Sequence, residues 1–82
     1  MEKDRVVVVF KCERKSIETD LEIPVSLTVS ELVSALNSAY DLGVDTGDIK
    51  NCYLRAENPI VLLEGNRTLA EYGVRDGSIL NY

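Results

Sequence analysis

Residues 67–80 read Arg-Thr-Leu-Ala-Glu-Tyr-Gly-Val-Arg-Asp-Gly-Ser-Ile-Leu, and this stretch predicts how the chain closes onto its core. Leu69 and Val74 are spaced to fill a core beneath a short helical or 3₁₀ turn, while the Tyr72 hydroxyl can bond nearby backbone. Gly77 allows a tight turn into a last strand, because glycine adopts positive φ at little cost. The end of the chain is therefore predicted to pack through a turn and a strand.

The N-terminal part of the chain predicts a β-hairpin. Residues 6–12 are rich in β-branched and aromatic side chains, and residues 17–23 alternate apolar with polar, mostly acidic ones. The four polar residues between them suit a hairpin loop. Pro24 should end the second strand, because proline cannot donate to a ladder. The first strand is predicted to bury Val6, Val8, Phe10 and Cys12 and to expose Val7, Val9 and Lys11.

A helix is predicted from about residue 28 to residue 42. Thr28 and Glu31 have the spacing of a capping box, in which each side chain bonds the other residue's backbone N–H. Gly43 is the expected left-handed C-cap. Apolar residues recur at three- and four-residue steps and form one stripe. That stripe consists of Val29, Leu32, Val33, Leu36 and Tyr40.

Residues 52–57 alternate again and predict a third strand. Cys52, Leu54 and Ala56 should face inward, so that Tyr53 and Arg55 face solvent. A short fourth strand is expected after the break at Asn58 and Pro59. The resulting order, two strands, a helix and then more strands, predicts an α+β domain spanning residues 1–82. Its single long helix should pack across a mixed sheet of four to five strands.

These residues resemble a known fold. The pattern Leu-x-x-Tyr-x-Val-x-Asp-Gly-x-x-Leu, from Leu69 to Leu80, is similar to the end of ubiquitin-like (β-grasp) domains, and the resemblance covers about residues 5–82. Within that group the chain most resembles the YukD/EsaB-like proteins of bacterial type VII (WXG100/ESX-type) secretion systems. The shared features are a length near 80 residues, the run at residues 20–24 leading into the helix, and the ending at residues 76–80.

The resemblance implies a function. It implies a non-catalytic, protein-binding accessory or regulatory component of such a system, located in the cytoplasm. Its partner would be a secretion-system membrane ATPase or another part of the apparatus. A stand-alone ubiquitin-like adaptor unrelated to secretion remains an alternative. A β-grasp carrier or modifier is disfavoured, because the sequence stops at Tyr82 without the Gly-Gly ending whose carboxylate such proteins activate.

The composition argues against several other functions. A net charge of −5 is the opposite of what nucleic-acid binding requires. No apolar run approaches the roughly 20 residues of a membrane span, so direct membrane insertion is not expected. The sequence has no histidine, which removes Cys-His and Ser-His nucleophile pairs. Cys12 and Cys52 are expected to be buried and unpaired, and neither a metal nor a cofactor is expected.

The exposed face of the sheet is the remaining candidate for a functional site. If the first and last strands lie beside the Tyr53 strand, the exposed residues should form one apolar patch with Arg55 and Lys11 at its rim. Tyrosine, arginine and aliphatic side chains suit a protein interface, although scattered exposed apolar residues are also ordinary. The oligomeric state stays open. The candidate protein-binding residues are Val7, Val9, Lys11, Tyr53, Arg55, Ile79 and Asn81.

Overall fold

A computed structural model describes residues 4–82, so the first three residues of the predicted domain lie outside the described part. The strands and the helix follow the predicted order. They are β1 (Arg5–Cys12), β2 (Ile17–Pro24), α1 (Val29–Tyr40), β3 (Tyr53–Glu57), β4 (Val61–Glu64) and β5 (Ile79–Asn81). Short 3₁₀ turns cover Glu13–Lys15, Ile49–Asn51 and Ala70–Tyr72.

The described strands form one mixed sheet in the order β2-β1-β5-β3-β4. β1 and β5 run parallel at the centre, whereas the other neighbouring pairs are antiparallel. The first and last strands are therefore neighbours, and β3 lies directly beside them. This confirms the predicted α+β architecture, with five strands in the sheet and the one long helix packed on it.

The hydrophobic core lies between α1 and one face of the sheet. The sheet contributes Val8, Phe10 and Leu80, which are fully buried, and alternation along β1 and β3 buries Cys12 and Leu54 as well. Val6 is half-buried and packs at the margin. Four of the five predicted stripe residues of the helix are buried, and Tyr40 is half-buried with its ring 5.5 Å from that of Phe10.

Both ends of α1 have identifiable caps. The Thr28 hydroxyl accepts a hydrogen bond from the Glu31 N–H at 3.1 Å, and the Glu31 carboxylate accepts from the Thr28 N–H at 2.9 Å. The predicted capping box is confirmed. The predicted C-cap at Gly43 is wrong, because Asp41 already adopts the left-handed conformation (φ 53°). Aspartate tolerates that conformation better than most residues, and the earlier turn lets Leu42 enter the core.

The end of the chain packs as its sequence predicts. Leu69 is fully buried and Val74 nearly so, beneath the 3₁₀ turn at Ala70–Tyr72. The Tyr72 hydroxyl donates to the Glu64 carbonyl oxygen at 3.1 Å, which ties this turn to β4. Gly77 has φ 89°, a conformation that favours glycine, and it leads the chain into β5.

Candidate protein-binding face

The seven candidate residues lie on one surface, the side of the sheet that faces away from α1, called here the outer face. Alternation puts them there because their neighbours in sequence are buried against the helix. Val7 is 47% exposed and Tyr53 is 45% exposed. Arg55 is also exposed, while the remaining four are half-buried: Val9, Lys11, Ile79 and Asn81.

The strand register sets which of these residues are neighbours. Lys11 pairs with Asn81, Asn81 pairs with Arg55, and Arg55 pairs with Leu62. These four side chains form a row across β1, β5, β3 and β4, called here the central row. Val9 and Ile79 pair in the adjacent row, about 7 Å along the strands. Val7 lies a further step away, near the start of β1.

The predicted arrangement of this surface is wrong in one respect. Lys11 and Arg55 were expected at the rim of a single apolar patch, but they lie in the middle of the face. Val7, Val9 and Ile79 lie on one side of the central row, and Tyr53 lies on the other, where its ring is 6.4 Å from the ring of Tyr82. The physical reason is register, which places the basic residues of β1 and β3 on either side of Asn81.

Two further apolar residues extend the face, and sequence reasoning did not assign them. Leu62 is 48% exposed at the end of the central row, and Ile60 is 91% exposed in the turn before β4. They line an open hollow of about 600 Å³, together with Lys11, Arg55 and Tyr82. Leu62 stands between two other apolar residues, so the alternation that identified the outer face on β1 and β3 is silent on β4.

Of the two basic side chains of the face, only Lys11 forms an ion pair within residues 4–82. The Lys11 ammonium is 4.0 Å from the Glu18 carboxylate, an exposed pair of little energetic weight. The Asn81 side-chain amide donates to the Glu57 carboxylate at 3.1 Å. Within residues 4–82 the guanidinium of Arg55 forms no ion pair. Arg55 can therefore bind a carboxylate from another molecule without first losing one of its own.

Within residues 4–82, neither the cysteine thiols nor a metal-binding cluster lies on this face. Cys12 and Cys52 are free thiols and are 0% and 1% exposed, which confirms the prediction that both are buried and unpaired. In the described residues, no group of three or more histidine, cysteine or acidic side chains is placed to hold a metal ion. None of the helices in residues 4–82 is long and apolar enough to span a membrane.

Solved structures of ubiquitin-like domains share this fold. The C-terminal ubiquitin-like domain of mouse tubulin-specific chaperone e matches with a TM-score of 0.69 and 21% identity, over 95% of this chain and 84% of that one. A ubiquitin-like domain from Arabidopsis thaliana matches with a TM-score of 0.70 and 20% identity, over 96% and 76%. The UBL domain of Plasmodium falciparum Dsk2 gives 0.60 and 23%, over 94% and 96%. The chain is therefore a ubiquitin-like β-grasp domain.

The sequence narrows this class to one family. Residues 5–81 match the family described as YukD, a protein of the WXG100 protein secretion system (Wss). The chain belongs to the YukD family, in agreement with the resemblance noted from its motifs. A search of curated proteins gave no match. Ubiquitin-like domains generally mediate protein interactions, and neither they nor the YukD family are generally catalytic.

Proposed function

We propose that this chain is a non-catalytic, protein-binding accessory or regulatory component of a bacterial type VII (WXG100/ESX-type) secretion system, working in the cytoplasm. The observation that carries the proposal is the YukD family match over residues 5–81. Its partner is a protein of the secretion apparatus, with the membrane ATPase as the first candidate. The chain acts by occupying a surface of that partner, which alters assembly or output without chemical change.

The outer face supports this role through its composition. Aromatic and arginine side chains are enriched at the energetic centres of protein interfaces. Tyr53 is half exposed beside Tyr82, and Arg55 lies in the adjacent central row without an ion pair among the described residues. A partner that covers both would bury apolar area and gain a charge-assisted hydrogen bond. Tyr53 and Arg55 are therefore the residues on which binding should depend most.

The absence of catalysis is supported by the residues available. The sequence contains no histidine, so neither thiol has an imidazole base. Both thiols are also buried, and a buried sulfur cannot meet a substrate without local opening. The exposed side chains of the outer face are suited to recognition.

The test is a variant that removes the two proposed anchors. Tyr53→Ala with Arg55→Ala should remain folded, fail to copurify with the partner from secretion-competent cells, and fail to restore secretion in a deletion strain. Loss of two interface anchors of about 2 kcal/mol each weakens binding by roughly a thousandfold when the two losses add. The matched control, Ser34→Ala with Arg67→Ala, changes two exposed residues away from the outer face, also removes one positive charge, and should behave as wild type.

A tag on the last residue separates this proposal from a carrier or modifier function. A short soluble extension after Tyr82 should leave copurification and secretion intact, because binding rests on the outer face. A fully active double variant together with an inactive tagged protein would place function at the C-terminus and refute the proposal.

A further inference from the structure

The outermost strand β4 has backbone groups that point away from the sheet. The Gly65 N–H donates to the Cys52 carbonyl at 3.3 Å, so that pair is hydrogen-bonded across the two strands. Hydrogen-bonded and non-bonded pairs alternate along antiparallel strands. The pairs of Tyr53 with Glu64 and of Arg55 with Leu62 are therefore non-bonded pairs. The N–H and C=O groups of both Glu64 and Leu62 face outward.

The two outward-facing positions differ in whether a side chain binds their backbone N–H and C=O groups. The Tyr72 hydroxyl donates to the Glu64 carbonyl at 3.1 Å and accepts from the Glu64 N–H at 3.4 Å, so it closes that position. No side chain of the described residues closes the position at Leu62 in this way. Leu62 is 48% exposed and the neighbouring Ile60 is 91% exposed, so solvent reaches this part of the edge. An open strand edge is a template for pairing with another strand.

The opposite edge of the sheet does not offer the same template. There β2 places Glu18, Asp20 and Glu22 on the outer face, and all three are exposed. Charged side chains along an edge strand disfavour the approach of a further strand. β4 combines an unpaired donor and acceptor with exposed apolar side chains, so it is the edge suited to strand addition.

We propose that β4 binds an extended segment of a partner protein by strand addition at Leu62, and that this segment presents an acidic side chain beside Leu62 with apolar residues flanking it. This rests on the proposed protein-binding function and names the kind of segment bound. Arg55 pairs with Leu62 on the same face and has no ion pair among residues 4–82. An added strand lies about 5 Å beyond β4, which puts its carboxylate within reach of the guanidinium. Ile60 provides the apolar contact.

A second copy of the chain is a poorer occupant of this edge. Two β4 strands paired around a two-fold axis would place Leu62 opposite Leu62, which supplies no carboxylate for Arg55. The next outward-facing position, Glu64, already has its backbone bonded to Tyr72. Such a dimer would gain one pair of backbone hydrogen bonds and no charge complement, whereas an acidic segment gains both.

The probe is the acetylated and amidated peptide Thr-Val-Thr-Asp-Thr-Val-Thr, added to the ¹⁵N-labelled full chain and followed by NMR. Its order of residues is the same in both directions, so it suits parallel or antiparallel addition. We expect the amide signals of residues 61–63 to shift. The same peptide with lysine in place of aspartate should bind about tenfold more weakly, because a charge-assisted hydrogen bond to Arg55 is lost.

Variants of the chain test the strand geometry. Leu62→Pro removes the outward N–H and should abolish the shifts, since proline cannot donate. Leu62→Ala keeps that N–H and should retain most of the affinity. If Leu62→Pro does not fold, Arg55→Gln serves instead, and it should bind the aspartate and lysine peptides equally.

Three results of the peptide titrations would overturn the inference. These are an absence of shifts at millimolar peptide, shifts confined to β1 and β5, and equal affinity of the wild-type chain for the two peptides. A dimer in sedimentation that Leu62→Pro converts to monomer would assign the edge to a second copy and also refute it. The copurification test of the Tyr53 and Arg55 variant is separate, so failure here leaves the proposed secretion function standing or falling by itself.

Discussion

The two faces of the sheet are built from alternating residues of the same strands, yet they obey different constraints. On β3, Leu54 is 1% exposed and packs in the core, whereas its neighbour Tyr53 is 45% exposed on the outer face. The inner face is mostly apolar, with Thr19 as a polar member opposite Phe10, and it is closed by α1. The outer face mixes apolar residues with a central row that contains Lys11 and Arg55. The inner face therefore determines stability, while the outer face is free to carry recognition.

Truncating Leu54 and Tyr53 separately tests whether the two faces differ in their contribution to stability. Leu54→Ala should lower the free energy of unfolding by about 2–5 kcal/mol, because it removes buried methyl groups and leaves a cavity. Tyr53→Ala should cost below about 1 kcal/mol, since half of that side chain is already in water and the main loss is its contact with Tyr82. Urea denaturation of both variants measures the difference.

The control for this pair is the slope of each unfolding curve, which should match wild type if both variants keep the same native state. Equal losses at the two positions would mean that the sheet is not divided into a buried and an exposed face. A large loss at Tyr53 alone would mean that the outer face is covered in the native protein.

The inner face could be predicted from sequence because alternation and burial report the same property. The strict alternation of residues 52–57 places Leu54 and Ala56 inside, and the three- and four-residue spacing of the helix stripe places Leu36 inside. The capping box could also be predicted from the sequence, since it depends only on the identity of two residues three positions apart. The C-cap was misplaced because glycine is the usual choice, and an aspartate took its role here.

The outer face could be predicted only as a set of residues. Alternation identified its members on β1, β3 and β5, but it carries no information on register between strands distant in sequence. That register put Arg55 and Lys11 on either side of Asn81 and separated Tyr53 from Val9. Alternation did not identify Leu62 as a member of the outer face, because every neighbour in its short strand except Glu64 is apolar. Sheet topology, which depends on long-range packing, was needed to show these relations.

The solvent-facing start of α1 allows a smaller and more local test. Thr28→Ala should lower the free energy of unfolding by about 0.5–2 kcal/mol, because the Glu31 N–H loses its acceptor at the helix N-terminus. Thr28→Ser retains the hydroxyl and is the matched control, expected within a few tenths of a kcal/mol of wild type. The denaturation midpoint measures both. An unchanged midpoint for the alanine variant would show that this hydrogen bond does not stabilise the helix.

The smallest expected effect is a pH dependence of the folding stability that arises from Glu31, the second residue of the capping box. Hydrogen bonds from the Thr28 backbone N–H, and then from its hydroxyl, hold the pKa of Glu31 below its usual value of 4.5. They favour the carboxylate in the folded state, so the stabilisation is complete above the unfolded pKa and is lost as pH falls through the folded pKa. Glu31→Gln keeps an acceptor oxygen but loses the charge that favours a helix N-terminus.

Thermal melts of Glu31→Gln and wild type from pH 7 to pH 2.5 should therefore converge. Wild type should have the higher Tm at neutral pH, and the gap should narrow once the pH falls below about 4.5, because the protonated carboxyl of Glu31 then resembles the amide of glutamine. The gap should go on narrowing toward the acid end, as the Glu31 carboxylate of the folded protein takes up its proton. A gap that stays constant or widens on acidification would mean that the Glu31 carboxylate gains nothing from Thr28. The capping box would then stabilise the helix through the Thr28 hydroxyl alone.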